Sequence, residues 1–326
     1  MNAEQLAELS DLFVVAAVLL YVVAMVGFAI ELAFDRARPG KAKAATRREV
    51  EARQPVAVGA SGGDTTTTTG AVEEAETPAA PAAPPAWAPK AGTVALVLAW
   101  VGWAANFGAL VTRGLAVDRW PWGNMYEFVV AICFAAVSAF LGTQVRHNVR
   151  FLGAFVMVIS ALGLGLAVRY FYTVAGPVVP ALDSYWIAIH VSAAIIASGL
   201  LALAGVAGVL YLVRGDGMSR LPSRADLEKV AHRAIVFAFP LWTFAVIAGA
   251  LWADRAWGRY WGWDPKEVWS FITWVAYAAY LHAKVTAGWR GRAATIVQLV
   301  AFGCLLFNLI GVNIFIDGLH SYADVK

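Results

Sequence analysis

The cysteine pattern of this chain excludes two kinds of chemistry. Only two cysteines occur, Cys133 and Cys304, far apart and each inside an apolar run. This spacing excludes a CxxC thiol-redox pair and a CxxCH haem-attachment motif within the chain. The simplest interpretation is that both cysteines are small residues that pack between membrane helices.

Charged residues are also scarce. They make up 14% of the 326 residues, whereas hydrophobic residues make up 60%, and a typical soluble domain carries about 25% charged residues. The net charge of +3 gives no basis for nucleic-acid binding. No cleavable signal peptide is expected, because the first apolar run follows Glu4, Glu8 and Asp11 and lacks a basic segment before it.

Eight long apolar runs dominate the chain. Each is close to the roughly 20 residues that a helix needs to cross a bilayer. The predicted spans are 12–30, 93–112, 126–144, 151–168, 187–213, 234–252, 267–286 and 294–316. The sequence therefore predicts an all-α polytopic membrane protein with about eight transmembrane helices.

A hydrophilic segment separates the first predicted span from the other seven. Residues 31–92 open with a basic run and continue into a stretch rich in Thr, Ala and Pro, with few large apolar side chains. Such a composition cannot bury a core, so we predict a cytoplasmic, low-complexity linker. The predicted domains are a first transmembrane helix at 1–30, this linker at 31–92 and a seven-helix domain at 93–326.

The distribution of positive charge predicts the orientation in the membrane. Most of the 25 lysines and arginines lie in the linker and in the loops near 145–150, 214–233 and 283–293. The positive-inside rule places these loops in the cytoplasm, and both termini on the outer side. In the 214–233 loop, Ser223 and Asp226 predict the start of a short amphipathic helix on the cytoplasmic face.

Six tryptophans are concentrated in one short window that emerges on the outer side. They are Trp252, Trp257, Trp261, Trp263, Trp269 and Trp274. The first four lie in or beside a polar stretch, and several tryptophans on one loop indicate a shared partner surface. That partner is either a flat aromatic ligand or the lipid headgroup region. The stretch ends in a helix-start signal, with Asp264 as N-cap, Pro265 as first helical residue and Glu267 three beyond the cap.

Five histidines are the other candidate functional residues. His147 and His232 lie beside arginines in predicted cytoplasmic loops and are interpreted as surface residues. His190 lies six residues after the cap-like Ser184, about 9 Å into its helix, and His320 follows the last span on the same outer side. Two imidazoles beside an aromatic surface can hold a haem, since imidazole nitrogen is an axial ligand of haem iron. Geometry alone leaves open that the two histidines make unrelated hydrogen bonds.

His282 lies in the predicted seventh span, about 27 Å from Asp264 toward the cytoplasmic side. An ionisable residue inside a span is a functional candidate. The sequence offers no second histidine at that depth, so a role as haem ligand needs a residue from another chain. The alternative is a side chain that simply reaches the cytoplasmic interface.

Several motifs resemble a known family. The matching segments are 257–267 (WGRYWGWDPKE), Trp269, 280–282 (YLH), 311–313 (GVN) and 318–320 (GLH). They are similar to the WWD signature of haem-handling proteins in cytochrome c biogenesis, and together they resemble the CcsA/ResC-type subunit of the system II cytochrome c synthase. The resemblance covers roughly residues 90–326. Tyr260 stands where many members carry another tryptophan, which keeps an aromatic ring at that position.

The resemblance implies a set of site residues. It implies haem b as the bound substrate and His190, His320 and His282 as axial ligands of its iron. The other implied haem contacts are Trp252, Trp257, Trp261, Trp263, Asp264 and Glu127. Glu127 lies in a second, less specific external motif with Pro121, Asn124 and Tyr126. Its carboxyl group either contacts a haem propionate or caps the third span.

The resemblance also implies an activity. The family member would be a component of a haem lyase (holocytochrome c synthase) that carries haem outward and presents it for thioether attachment to the CxxCH segment of apocytochrome c. A ResB-like membrane subunit and thiol-reducing pathway proteins are the implied partners. The implied location is the plasma membrane of a bacterium, with both termini and the WWD loop, about residues 252–267, extracytoplasmic.

Two other functions stay open. One is a haem exporter that delivers haem to a separate chaperone. The other is a b-type haem subunit for electron transfer, which would need a histidine pair at equal depth on facing spans. No separate catalytic residues are expected, because the sequence shows no Ser-His-Asp pattern, phosphate loop or metal-binding cysteine cluster.

Overall fold

The structure, a computed structural model, describes residues 1–34, 85, 87–178, 182, 184–214 and 221–320. Every regular element in these ranges is helical. The long helices are α1 (Ala3–Phe34), α2 (Trp87–Val117), α3 (Met125–Arg146), α4 (Gly153–Tyr170), α5 (Tyr185–Val213), α6 (Arg224–Trp257), α7 (Pro265–Val285) and α8 (Arg292–Leu306). A 3₁₀ turn (Arg150–Leu152) precedes α4, and a π-helical turn (Phe307–Gly311) followed by α9 (Val312–Phe315) extends α8.

Seven of the described helical segments are long and apolar enough to cross a membrane. They are α1, α2, α3, α4 with its 3₁₀ turn, α5, α6 and α8 with its extension. The 21-residue α7 has the length of a span, but Lys266, Glu267, His282 and Lys284 lower its hydropathy. The predicted all-α polytopic fold is confirmed, with α7 as the more polar helix in the set.

Two apolar clusters form the interior, and α5 contributes to both. One cluster joins α1, α2, α3 and α4 around Tyr21, Phe28 and Phe140. The other joins α5, α6, α7 and α8 around Trp242 and Tyr277. Small residues let the helices approach closely, as is usual inside membranes. At Gly199 of α5, for example, a Cβ atom would lie 2.6 Å from the backbone carbonyl carbon of Ala135 in α3.

The helices extend further than the hydropathy of the sequence predicts. α1 continues to Phe34 and α2 begins at Trp87, so both enter the predicted linker, whose residues 35–84 and 86 lie outside the described part of the chain. Ser223 does cap a helix, but that helix is α6 itself, and the predicted separate amphipathic helix is therefore wrong. No helix-breaking residue lies between Ser223 and the apolar part of α6, so the helix starts at the cap and continues through Pro240.

The described loops gather at two ends of the bundle. The end that carries the tryptophans, called the Trp end below, consists of residues 118–124, 171–178, 258–264 and 316–320. Asp11 joins the start of α1 to this end through Tyr172 Oη, 2.6 Å from its carboxylate. The opposite end, called the basic end, consists of residues 147–152, 214, 221–223 and 286–291 and of the adjacent helix ends. Ion pairs such as Arg150 to Glu31, at 3.1 Å, connect its segments. The loop order predicted from the sequence agrees with this arrangement.

Candidate functional site

The tryptophan-rich loop is shorter than the sequence suggests, because α6 continues through Trp252 and Trp257. Gly258 ends α6 in a left-handed conformation, with φ of 70°, which glycine adopts without steric cost. The connecting loop therefore spans only residues 258–264. It presents a few aromatic rings at fixed positions at the start of α7.

The predicted helix start at Asp264 is confirmed. The Asp264 side chain accepts a hydrogen bond from Lys266 N at 3.0 Å, and the Glu267 side chain accepts one from Asp264 N at 3.1 Å, which forms a capping box. Glu267 also accepts a hydrogen bond from Gly262 N at 2.8 Å. The loop and the first turn of α7 are therefore one hydrogen-bonded unit.

His190 lies in the second turn of α5, after the predicted cap at Ser184. Its Nδ1 atom is 2.7 Å from the carbonyl oxygen of Ala245 in α6. Because a carbonyl can only accept, Nδ1 carries the hydrogen and Nε2 is the nitrogen that can bind a metal. One turn later in α6, Gly249 makes room for the ring, since a Cβ there would lie 2.7 Å from the imidazole.

His320 is oriented in the same way by a carboxylate. Its Nδ1 atom is 2.8 Å from Oδ1 of Asp264, whose Oδ2 accepts a hydrogen bond from Leu319 N at 2.7 Å. Burial raises the pKa of Asp264, but hydrogen bonds from His320, Leu319 and Lys266 lower it, and the net pKa is below its ordinary value. Asp264 is therefore a carboxylate that orients the His320 ring and leaves Nε2 as the nitrogen that can bind a metal.

Trp252 contacts both histidines. Its ring centroid is 6.1 Å from that of His190, nearly parallel to it, and 5.6 Å from that of His320. Trp252 is 2% exposed. Trp257 completes the group, with its ring centroid 4.7 Å from Trp252 and 5.2 Å from His320. One buried indole thus holds both imidazoles in a single cluster at the Trp end.

One pocket contains both histidines. Its walls come from α3, α5, α6, α7, the tryptophan loop and the C-terminal segment, and its aromatic lining residues are Trp122, Phe128, Trp242, Trp252, Tyr260 and Trp261. The lining combines apolar rings with two imidazoles whose Nε2 atoms are able to bind a metal, a combination that is compatible with haem chemistry. The enclosed volume is about 140 Å³, close to that of a cavity that binds benzene. A macrocycle therefore needs the pocket to open wider at its solvent-facing side. This side, called the mouth below, is marked by Tyr260, which is 58% exposed, and by the adjacent Trp261.

Three of the residues predicted for the site lie apart from this pocket. Trp263 is 75% exposed and contacts Trp261 edge-on at 5.9 Å. His282 is exposed in the last turns of α7, near the basic end, with Nδ1 3.4 Å from Thr286 Oγ1. The structure thus joins His190, His320, Trp252, Trp257, Trp261 and Asp264, and separates Trp263, His282 and Glu127 from them.

Glu127 lies in a neighbouring cluster of arginines. It is 1% exposed and accepts hydrogen bonds from Arg113 Nε at 3.1 Å, Arg119 Nη1 at 2.8 Å and Gly123 N at 2.8 Å. Asn124 is the N-cap of α3 and accepts a hydrogen bond from Glu127 N. The sequence left two roles open for Glu127, a contact to a haem propionate and a cap of the third span. In the structure Glu127 lies in the first turn of α3, its carboxylate contacts Arg113 and Arg119, and it does not line the histidine pocket.

Sequence reasoning missed several polar residues of the pocket, including Lys266 and Asn308. Lys266 lies within the helix-start signal, between Pro265 and Glu267, and was interpreted only as part of that signal. Asn308 is a polar residue within the last apolar run, and a polar residue inside a span is itself a sign of a functional role.

Among the described residues, no group of three His, Cys, Asp or Glu side chains is arranged to hold a metal ion directly.

The comparisons with known proteins agree on one family. Residues 122–320 match the family described as Cytochrome C assembly protein. The chain is 30% identical over 277 aligned residues to the cytochrome c biogenesis protein CcsA of Gloeobacter violaceus, which covers 66% of this chain and 82% of that protein. It is 32% identical over 290 residues to CcsA of Synechococcus elongatus, with 72% and 87% covered, and 32% identical over 240 residues to CcsA of Guillardia theta, with 65% and 80% covered.

The matched region begins at Trp122 and ends at His320, so it contains the whole lining of the histidine pocket. The resemblance inferred from the WWD signature is confirmed by these matches. The chain therefore belongs to the cytochrome C assembly protein family and is a CcsA-type membrane protein of cytochrome c biogenesis.

Proposed function

We propose that the protein binds haem b as a substrate at the Trp end and presents it for attachment to apocytochrome c. The observation that carries this proposal is the pair formed by His190 and His320. Both line one aromatic pocket, both contact Trp252, and each has Nδ1 held by a hydrogen-bond acceptor. Two imidazoles fixed in this tautomer suit axial ligation of one iron atom.

The chain contributes position and surroundings to the reaction. Each thioether forms when a cysteine S–H adds across a vinyl C=C of haem, so that sulfur bonds to one carbon and hydrogen to the other. This addition needs free thiols close to the vinyl groups and reduced iron. Histidine ligation sets the iron potential, the aromatic walls exclude water and oxidants, and the fixed geometry supplies the proximity.

The same proposal includes a route and a partner. His282 is exposed at the basic end, as expected for a ligand completed by another chain. Haem would enter there, with a ResB-like subunit supplying the opposite ligand, and move outward to the Trp end. The positive charge of the basic end supports a cytoplasmic location for that end. The proposal accordingly assigns the pocket to the extracytoplasmic face of a bacterial plasma membrane.

The first experiment is an absorption spectrum of the chain purified with its co-expressed partner. The variants are His190→Ala and His320→Ala, and His147→Ala is the control, because it removes an exposed histidine at the basic end. We expect a low-spin bis-histidine spectrum that is altered in both pocket variants, restored by added imidazole and unchanged in the control. Cytochrome c maturation should fail in the same two variants. Unchanged spectra and full maturation in both would overturn the proposal.

A second measurement separates presentation from simple export. The purified chain and its partner are loaded with reduced haem and mixed with apocytochrome c whose thiols are reduced. Thioether formation without a haem chaperone supports presentation for attachment. Haem release that requires a separate chaperone would instead identify an exporter, and haem that stays bound throughout would favour an electron-transfer subunit.

A further inference from the structure

A lysine side chain lies inside the histidine pocket. Lys266 occupies the first turn of α7 and lines the pocket together with His190 and His320. Its Nζ atom donates a hydrogen bond of 2.8 Å to the backbone carbonyl of Asn308 in the π-helical turn, and lies 6.0 Å from the ring centroid of Phe128 in α3. Since Asn308 is 1% exposed, the ammonium group reaches the interior of the pocket and not its rim.

This ammonium group forms no ion pair with a carboxylate in the described part of the chain. Asp264 and Glu267 are the acidic residues nearest in sequence, but their oxygens accept hydrogen bonds from His320, Leu319 and backbone N–H groups at the start of α7. An ammonium group has three N–H donors, and the Asn308 carbonyl accounts for one. A cation removed from water is costly unless it is paired, so the remaining donors suit an anionic ligand.

A second polar group marks the same place. The Oδ1 atom of Asn308 is buried and has no hydrogen-bond partner among the described residues, although Asn308 also lines the pocket. An amide side chain can present its NH₂ group instead of its oxygen by turning about one bond. Lys266 and Asn308 together can therefore offer several N–H donors to one group inside an otherwise apolar pocket.

We propose that Lys266, with Asn308, forms a carboxylate-binding site that takes a propionate of haem. This proposal rests on the proposed function and specifies the orientation of the bound substrate. The propionates and the vinyl groups of haem b occupy opposite edges of the macrocycle. A propionate held inside the pocket by Lys266 therefore turns the vinyl edge toward the mouth, where Tyr260 and Trp261 lie and where the thiols of apocytochrome c can arrive.

The test compares haem with haem dimethyl ester, in which both propionates are esterified and uncharged. Affinities are measured by absorption titration for the wild-type protein, Lys266→Met and Lys266→Arg, each with its partner. Lys229→Met is the matched control, since it removes an exposed lysine at the basic end. The quantity compared is the ratio of the two affinities, in which unequal partition of the two compounds into detergent cancels between variants.

We expect the wild-type protein to prefer haem over its dimethyl ester by about tenfold or more, the usual effect of a hydrogen bond to a charged group. Lys266→Met should lose this preference by binding haem more weakly while binding the ester as before. Lys266→Arg should keep part of the preference, and Lys229→Met all of it. A ratio in Lys266→Met equal to that of the wild-type protein would overturn the proposal.

The outcome for the histidine pair is read independently from the same spectra. A bis-histidine spectrum in Lys266→Met with a wild-type ratio would reject the carboxylate site and leave the proposed function intact. Loss of the bis-histidine spectrum for both haem and ester in Lys266→Met would show that Lys266 acts on the fold of the pocket through Asn308, which also rejects the carboxylate site. Absence of any bis-histidine spectrum in the wild-type protein would reject the proposed function itself.

Discussion

At the scale of single residues, the pocket depends on the atoms that hold the two imidazole rings. His190 is held by a backbone carbonyl and His320 by the Asp264 carboxylate. Side chains that orient a metal ligand typically change metal affinity by roughly 10- to 100-fold when mutated. Asp264 is therefore as much a part of the site as the histidine that it holds, although the same residue also caps α7.

Replacement of Asp264 by asparagine tests this role. The asparagine side chain would remain a good N-cap, but it would lack the charge that favours the oriented His320 ring. We expect haem affinity to fall by roughly 10- to 100-fold with the α7 start preserved, as measured by haem titration and circular dichroism. Asp317→Asn is the control, because this exposed carboxyl group lies three residues before His320. Equal affinities in the two variants would contradict the role.

The pH dependence of this effect follows from the pKa of Asp264, which lies below its ordinary value. A group with a lowered pKa contributes fully above its ordinary pKa, and the contribution is lost as pH falls through the lowered pKa. The ratio of haem affinities between the wild-type protein and Asp264→Asn should therefore be constant from about pH 5 to pH 8. It should approach one only in more acidic solution. A ratio that changes across the neutral range would show that another group sets it.

Gly249 offers a second prediction at this scale. An added methyl group would lie 2.7 Å from the His190 ring, so Gly249→Ala should push the imidazole away from the pocket. We expect a weakened or high-spin haem spectrum in a protein that still folds. Gly303→Ala is the matched control, since nothing lies within 4 Å of the added methyl group there. A wild-type spectrum in Gly249→Ala would show that the ring has room to move.

At the scale of helices, the arginine cluster around Glu127 joins two helices and two loops at the Trp end. Glu127 in α3 contacts Arg113 in α2 and Arg119 in the following loop, and Arg119 also donates to the carbonyl of Gly176 at 3.0 Å. The cluster lies next to the pocket, whose wall includes Asn124 and Phe128 of the same helix. The cluster therefore stabilises the helix that forms one wall of the pocket, although Glu127 and its two arginines do not line the pocket.

Glu127→Gln should destabilise the protein and leave the haem spectrum intact. Removal of one partner of a buried ion pair costs about 3 to 5 kcal/mol, and here two arginines would lose their common carboxylate. Thermal unfolding in detergent measures the loss, and Glu8→Gln, an exposed carboxyl group in α1, is the control. Normal stability together with weakened haem binding would instead support the contact to a propionate that the sequence left open.

Much of the fold was predictable from the sequence, because hydropathy and caps are local signals. The predicted span 187–213 corresponds to α5 (Tyr185–Val213), and the cap at Asp264 was correct. Hydropathy could not predict where α6 begins and ends. The helix extends beyond its apolar run at both ends, from the cap at Ser223 to the left-handed Gly258. The π-helical turn within the last span was not predicted either.

The site was predictable only in part. The histidine pair followed from the family resemblance and from the depth of His190, and the structure brings both residues to one pocket. Three features depend on packing between distant segments and have no local signal. They are the Ala245 carbonyl under His190, the reach of Lys266 to Asn308, and the exposed position of Trp263.

At the scale of the whole molecule, the pocket is assembled from residues between Trp122 and His320. It exists only when α5, α6, α7 and the C-terminal segment are packed together. A ligand bound to both histidines would join α5 to the C-terminal segment, and binding to the folded state alone stabilises it in proportion to the logarithm of ligand concentration. Ligand binding to the pocket should therefore raise the thermal stability of the packed helices.

The orientation of the molecule decides whether the pocket can serve an extracytoplasmic cytochrome, and it can be tested by labelling. Trp263, 75% exposed at the Trp end, and Lys229, exposed at the basic end, are each replaced by cysteine. A membrane-impermeant maleimide is added to intact spheroplasts and to permeabilised ones, with the parent chain as baseline because Cys133 is buried and Cys304 is partly buried. We expect Trp263→Cys to react in both preparations and Lys229→Cys only after permeabilisation, since the positive charge holds the basic end in the cytoplasm. The reverse pattern would place the histidine pocket in the cytoplasm, where it could not present haem to an apocytochrome on the outer side.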